Sequence, residues 1–365
     1  MKYSYLSMKN SRSLFIALVG VMAWLMLACD AKKANENNAE PENNAIDITF
    51  TPSDTSINLN LFYLNLKAIQ LINVVVNDKA VPYSKITDES LALSPKAMRL
   101  GNNRVMFIYA QNKIIDTIQK DYFHTLSVAY SVQHTFKHHE QYFTEGLFFD
   151  DANNLVESMG LEGKSKIVFY KKNKNGYQSK DSILNENNEF GEGIALQDGN
   201  LVQLLWKNNY LKIFDYKSKK FLKNLAYPNE GWGLCTHQNQ LYATNGSNVI
   251  SVLDIKGSTT QIVKSIQVHD QHGPVANLNE IEYINGIIYA NVWQSNMVCL
   301  INPLTGDVIG KIDFAALAEK EAEQNLSVDV INGIAFNKTN NTLLITGKYW
   351  RNFYEIKLET ALPTL

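Results

Sequence analysis

From Ile46 to about Thr125, apolar residues recur at every second position, as in Ile46-Ile48-Phe50, Ile72-Val74-Val76 and Val105-Phe107-Tyr109. Period-two alternation predicts half-buried strands, and the polar stretches Asn77-Asp78 and Gly101-Asn102-Asn103 predict turns between them. Several short strands at this spacing suggest a small β-sandwich of Ig-like architecture over 46–125. No Cys…Trp…Cys pattern accompanies it, so the likeness is architectural only, and nothing in the segment looks catalytic.

Beyond it the pattern repeats. Five segments stack: Phe143-Thr144-Glu145-Gly146-Leu147, Phe190-Gly191-Glu192-Gly193-Ile194, Glu230-Gly231-Trp232-Gly233-Leu234, Leu278-Asn279-Glu280-Ile281-Glu282 and Ile331-Asn332-Gly333-Ile334-Ala335. Their middle residues lie 47, 40, 48 and 53 positions apart. About ten residues after each comes a second strand-like stretch, such as Val202 to Trp206, Tyr289 to Trp293 and Leu344 to Lys348, and then a third. A period of this length with four strands per unit is the arithmetic of a β-propeller, here with five blades. The last unit ends after its third strand, near Leu358. The segment Leu126 to Phe136 is therefore expected to supply its outermost strand and close the ring, which removes exposed edges. The fold class is all-β: a five-bladed β-propeller over 126–365 preceded by the sandwich. An open β-solenoid or two sandwiches are the alternatives.

The first strand of each blade lines the central channel, and the loops before it ring one mouth. Glu145, Glu192, Trp232, Asn279, Glu280 and Asn332 all start there, while Trp206, Trp293 and Lys348 end second strands on the same side. For the tryptophans the choice is between blade-to-blade packing and the aromatic wall of a small-substrate pocket. Glu192 is either a carboxylate capping backbone N–H groups or a functional group, and Lys348 either a surface charge or part of the site. The histidines look scattered or exposed, and a metal site on His138-His139 is a minor alternative. No phosphate loop, dinucleotide fingerprint, Gly-x-Ser-x-Gly or zinc-protease motif is present.

The chain begins differently. Lys2, Lys9 and Arg12 precede an uncharged apolar run from Leu14 to Leu27, which ends at Met26-Leu27-Ala28-Cys29. The run is short for a membrane span, and the order of features is that of a secretory leader. A Cys after the small residue resembles a bacterial lipobox and predicts a lipid anchor at Cys29 after removal of 1–28. An uncleaved anchor with a bystander Cys is the alternative. Residues 29–45 are polar and read as a flexible tether. The expected location is the cell envelope, periplasmic or surface-facing, held to a membrane through the lipid.

Composition sharpens this picture in three places. Hydrophobic residues at 45% supply a sizeable core, which excludes wholesale disorder. The formal charge of −2 excludes an electrostatic grip on nucleic acid. Removing 1–28 takes three of the 34 basic residues and none of the 36 acidic ones, which leaves −5. Three cysteines make no disulfide framework, and Cys235 and Cys299 read as buried thiols.

The strings FTEGL, VESMGLEGKS, FGEG, LLWK, EGWGL, LNEIEY, ANVW, INGIA and TGKYW, in this order over 127–358, resemble the plant-type and bacterial glutaminyl-peptide cyclotransferases. The resemblance implies a five-bladed propeller and an aminoacyltransferase that converts N-terminal glutamine to pyroglutamate with release of ammonia. It places the family's acid/base carboxylate on Glu192. Its pocket aromatics fall on Phe143, Phe190, Trp206, Trp232 and Trp293, its pocket asparagine on Asn279 and its lysine on Lys348. The family's first repeat reads FTQGL, so Glu145 departs from it and sets a second carboxylate near Glu192, where coupling would raise one pKa. The implied partners are peptides or proteins with N-terminal Gln, acted on by a monomer. No cofactor or metal is required, and a structural cation in the channel is compatible with the route. A membrane-anchored propeller that binds peptide ends or glycans without catalysis is the alternative function.

Overall fold

The computed structural model describes residues 47–362 apart from 53–55, 63–68, 88–89 and 112, so the leader, Cys29 and the tether lie outside the described residues. The chain divides into the units Met1–Ala45 and Ile46–Leu365, and the second holds all that is described. It is nearly all strand; among the described residues the α-helix is Ala315–Ala322.

Two four-stranded antiparallel sheets come first. One has the order Asp47–Pro52, Ile57–Phe62, Ser90–Leu93, Tyr83–Thr87, and the other Lys79–Val81, Ile69–Val76, Gly101–Gln111, Ile114–His124. Ile48, Leu59, Leu91 and Leu93 from the first share a core with Val74, Val76, Val105 and Phe107 from the second. Asn77 and Asp78 form the predicted turn, with φ of 48° and 68°, values that suit short polar side chains. Two expectations fail. A register shift between Leu71 and Asn73 breaks the alternation, and Ile72 is 47% exposed. Gly101-Asn102-Asn103 opens a strand rather than a turn. Asn103 is buried there, donating to Arg99 O and Gly101 O and accepting from Arg99 N and Asn77 Nδ2.

Five antiparallel four-stranded arrays follow. Their first strands are Thr144–Phe149, Gly191–Gln197, Leu234–His237, Leu278–Ile284 and Ile331–Asn337. The outer strands of the second and third arrays join through one parallel bridge, Ala226↔Thr259, into a single eight-stranded sheet. Each first strand neighbours the next, and the fifth neighbours the first. Buried side chains of adjacent arrays pack between them, as Leu147 and Met159 do on Ala335, Leu344 and Phe353.

The segment expected to close the last array divides in two. Tyr130–Lys137 pairs antiparallel with Asn352–Leu358 as expected, but Leu126–Ser127 runs parallel to Val308–Asp313 and extends the fourth array. The helix Ala315–Ala322 occupies the longest repeat interval and was not foreseen. Its buried Glu321 accepts hydrogen bonds from Arg351 N (2.6 Å), Asn352 Nδ2 (2.7 Å) and Tyr354 OH (2.6 Å), fixing the turn that follows Gly347.

Near the axis the register differs by one residue from the sequence stacking. The ladders of the first, second, fourth and fifth arrays shift between Thr144/Gly146, Gly191/Ile194, Leu278/Ile281 and Ile331/Ile334. Aligned on these bulges, Glu145, Glu192, Trp232, Asn279 and Asn332 are equivalent, and the next positions are Gly146, Gly193, Gly233, Glu280 and Gly333. The glycines permit backbone contact: a Cβ on Gly193 would lie 2.4 Å from Leu234 N, and one on Gly233 2.1 Å from Asn279 O. Glu280 is thus one position deeper than expected. Its carboxyl accepts from Ile334 N (3.0 Å) and Leu147 N (3.4 Å), across from the fourth array to the fifth and first.

Candidate active site

The site grows from the residue just ahead of each axial glycine. Ser165 sets the second array in place: its hydroxyl donates to Met159 O and accepts from Gly191 N, both at 2.8 Å. Glu192 follows directly and is 6% exposed. On the neighbouring first strand Glu145 is 1% exposed, and its carboxyl lies near enough to that of Glu192 for each to influence the other's ionisation. Gly160 makes room for this arrangement, since a Cβ there would lie 2.3 Å from the Phe190 ring and 3.1 Å from Glu145 Cγ.

The remaining partners come from the fifth array. Lys348 Nζ donates to Glu145 Oε1 at 2.7 Å and lies 4.4 Å from the centre of the Phe143 ring. Asn332 Nδ2 donates to Glu145 Oε2 at 2.8 Å. Lys348 is itself fixed by its backbone, bonded to Val330 O and by Asp329 N. Burial raises the Glu145 carboxyl to about 7, against the opposing pull of Lys348. Burial also raises Glu192 well above the usual carboxylate range, and the adjacent Glu145 charge adds to this.

Two aromatic clusters flank these groups. Phe143 meets Phe190 edge-on with centroids 6.0 Å apart, and Phe190 meets Trp206 at 5.5 Å. Trp232 meets Trp293 at 5.6 Å, over Gly246, where a Cβ would come within 2.7 Å of the Trp232 ring. The backbone joins the two clusters, since Gly193 N donates to Trp232 O at 2.7 Å. These five rings are all partly exposed, as a pocket wall requires and a packed core does not. Asn279 is 3% exposed, and its side-chain Oδ1 is buried with no hydrogen-bond partner among the described residues.

The structure therefore links Phe143, Glu145, Phe190, Glu192, Trp206 and Lys348 through direct side-chain contacts. Trp232, Trp293 and Asn279 connect to them through the backbone. Sequence reasoning passed over Tyr349, which stands 5.1 Å from Phe143 at φ 62°. It also misjudged His138, which is buried rather than exposed. Its Nδ1 meets Trp350 O at 2.7 Å and its Nε2 meets Glu157 Oε1 at 3.0 Å. Glu157 also accepts from Thr144 Oγ1 at 2.6 Å and from Tyr170 OH. The His138 charge and these donors hold its carboxyl low despite full burial. This network braces the strand one residue before Glu145. With both ring nitrogens engaged, and His139 stacked on Tyr142, the pair is not arranged as metal ligands. Cys235 and Cys299 are buried free thiols, and burial pushes Cys299 up to about 11.

Comparison with known proteins identifies the family. The glutamine cyclotransferase family matches residues 106–358. Glutaminyl-peptide cyclotransferase of Arabidopsis thaliana is 33% identical over 230 residues, which cover 62% of this chain and 70% of that protein. The crystal structure of Myxococcus xanthus glutaminyl cyclase superposes with a TM-score of 0.59 at 29% identity, covering 65% of this chain and 100% of that one. The chain belongs to the glutamine cyclotransferase family.

Proposed function

We propose that this chain closes the N-terminal glutamine of peptides or proteins to pyroglutamate and releases ammonia, with Glu192 as general acid and base. The observation that carries the assignment is a buried carboxyl of raised pKa, set beside Lys348 and between two aromatic clusters, in a chain of the glutamine cyclotransferase family. The substrate amine attacks its own side-chain amide carbon, so much of the gain comes from holding the productive rotamer. A free α-amine has a pKa of about 7.7–8.0 and is partly neutral near pH 7. On attack its nitrogen must lose a proton, and the leaving nitrogen must gain one. Glu192 accepts the first and donates the second, which balances the step with no co-reactant.

Lys348 places its ammonium, already aligned by Glu145 and Phe143, at the oxygen that gains negative charge. The unpartnered Asn279 Oδ1 accepts from a substrate N–H, the natural partner of a buried acceptor. The rings of Phe143, Phe190, Trp206, Trp232 and Trp293 enclose the glutamine side chain and exclude water.

The architecture that supports this chemistry is a five-bladed β-propeller over 126–365, preceded by an Ig-like sandwich over 46–125. The cyclic order of the five first strands favours the propeller. The leader sequence favours a lipid anchor at Cys29 and an envelope location, with peptide or protein N-termini as partners of a monomer. A coupled ammonia assay on a short Gln-initiated peptide tests the activity. Turnover by the wild type and its loss in Glu192→Gln are expected; binding without ammonia release would contradict the assignment.

A further inference from the structure

Glu145 is the group in the site to which the reaction above gives no step. Its surroundings are specialised. One oxygen takes Lys348 Nζ at 2.7 Å, the other takes Asn332 Nδ2 at 2.8 Å, and Glu192 holds the equivalent bulge position on the neighbouring first strand. Two buried carboxylates side by side repel unless one of them carries a proton, and a carboxyl that carries one can donate it to its neighbour. With Lys348 alongside, one proton on the pair leaves the cluster neutral, which suits its burial. Two further charges that act on the pair are acidic: Asp329, ahead of the fifth first strand, on Glu145, and Glu230, ahead of the third, on Glu192, while Lys207 lies farther out over the Trp206 ring. Lys348 is thus the cation that Glu145 keeps in place.

We propose that Glu145 is a positioning residue of the cyclisation, which anchors Lys348 and shares a single proton with Glu192. The inference rests on the function proposed above and gives it a proton ledger. When Glu192 takes the proton from the attacking nitrogen, its own proton passes along the shared hydrogen bond to Glu145. When the carbon–nitrogen bond to the leaving group breaks, Glu192 donates to that nitrogen and recovers a proton from Glu145. Neither charge nor proton leaves the buried cluster during turnover.

The test has two readouts, run on wild type, E145Q and E192Q. The first is the infrared band of protonated carboxyl groups, followed against pH. A shared proton predicts that either substitution abolishes the same component titrating near neutrality, because the surviving carboxyl, left beside Lys348 without a like charge, ionises at lower pH. The second is the pH profile of kcat for ammonia release, which belongs to the bound complex. E145Q is expected to lose about tenfold or more at neutral pH, with its acidic limb moved down by a unit or more, and E145D is expected to restore the wild-type limb. A component that E192Q removes but E145Q leaves in place, or an unmoved limb, overturns the proposal; the contribution of Glu282, common to all three proteins, cancels in the difference spectra. Should E145Q not fold, persistence of the component in E192Q, which retains Glu145, overturns it equally. The infrared readout needs no turnover. A shared-proton band in a protein that releases no ammonia would sink the proposed function and leave the dyad, whereas turnover without the band would do the reverse.

Discussion

The mouth and the axis of the ring of first strands offer a comparison, because each buries carboxyl groups from neighbouring positions of the same repeat. At the mouth, Glu145 is held by side chains, the Lys348 ammonium and the Asn332 amide, with the Glu192 carboxyl beside it. On the axis, Glu280 is held by the backbone N–H groups of Leu147 and Ile334. Burial raises both Glu192 and Glu280 well above the usual range, Glu280 with help from the Glu282 charge. A raised pKa therefore does not distinguish the two places. What differs is the partner set. Side-chain donors and acceptors exchange protons with a substrate, while backbone N–H groups only fix a strand. Glu280 accepts from the residues that follow Gly146 and Gly333 and so ties three arrays together. Glu192 has aromatic walls and no backbone role.

The substitutions that break this comparison are ordered by expected effect. Glu192→Gln is the most severe for activity, with kcat lowered on the order of 10²–10⁴-fold and the fold retained, as steady-state ammonia release and a melting curve would record. His138→Gln removes the partner of a buried carboxylate behind the mouth. It is expected to cost about 3 kcal/mol of stability, read by denaturant unfolding, because Glu157 keeps Thr144 and Tyr170 but loses its imidazole partner. Glu280→Ala orphans two backbone N–H groups and is expected to cost on the order of 3 kcal/mol, with activity per folded molecule largely kept. The smallest effect is that of pH. Glu145 is raised to about 7 and Glu282 to about 8, above the 4.5 of a free side chain. A carboxyl of raised pKa binds its proton more tightly in the folded state. Its stabilising contribution is complete below about 4.5 and is lost as pH rises through the folded value. Stability is thus expected to fall between about pH 4.5 and somewhat above 8, and Glu282→Gln should flatten the upper part of that fall.

Much of this organisation was legible in the sequence, for identifiable reasons. Alternating apolar residues mark strands because side chains alternate across a sheet, and the repeated Glu-Gly and Trp-Gly pairs mark the crowded axis. The aromatic positions were legible because Phe143 and Phe190 open first strands at one offset, Trp206 and Trp293 follow second strands at another, and Trp232 takes the position of Glu145 and Glu192. What was not legible depends on register and distance. Placing Glu280 beside the axial glycines requires the bulge in its own first strand, between Leu278 and Ile281, which no local pattern announces. Lys348 reaches Glu145 across 203 positions, and His138 meets Glu157 only once Tyr130–Lys137 has paired with the last strand. The helix Ala315–Ala322 did carry a signal, an Ala/Leu/Glu/Lys-rich run without β-branched residues, inside the longest interval between repeats.

The central claim is that the mouth carboxyl performs the chemistry and the axial carboxyl holds the ring. The most direct measurement is ammonia release from a Gln-initiated peptide by wild type, Glu192→Gln and Glu280→Ala, each paired with its own unfolding curve. The account predicts a stable, inactive Glu192→Gln and a weakened but active Glu280→Ala. An active Glu192→Gln, or a stable Glu280→Ala that has lost turnover, would contradict it.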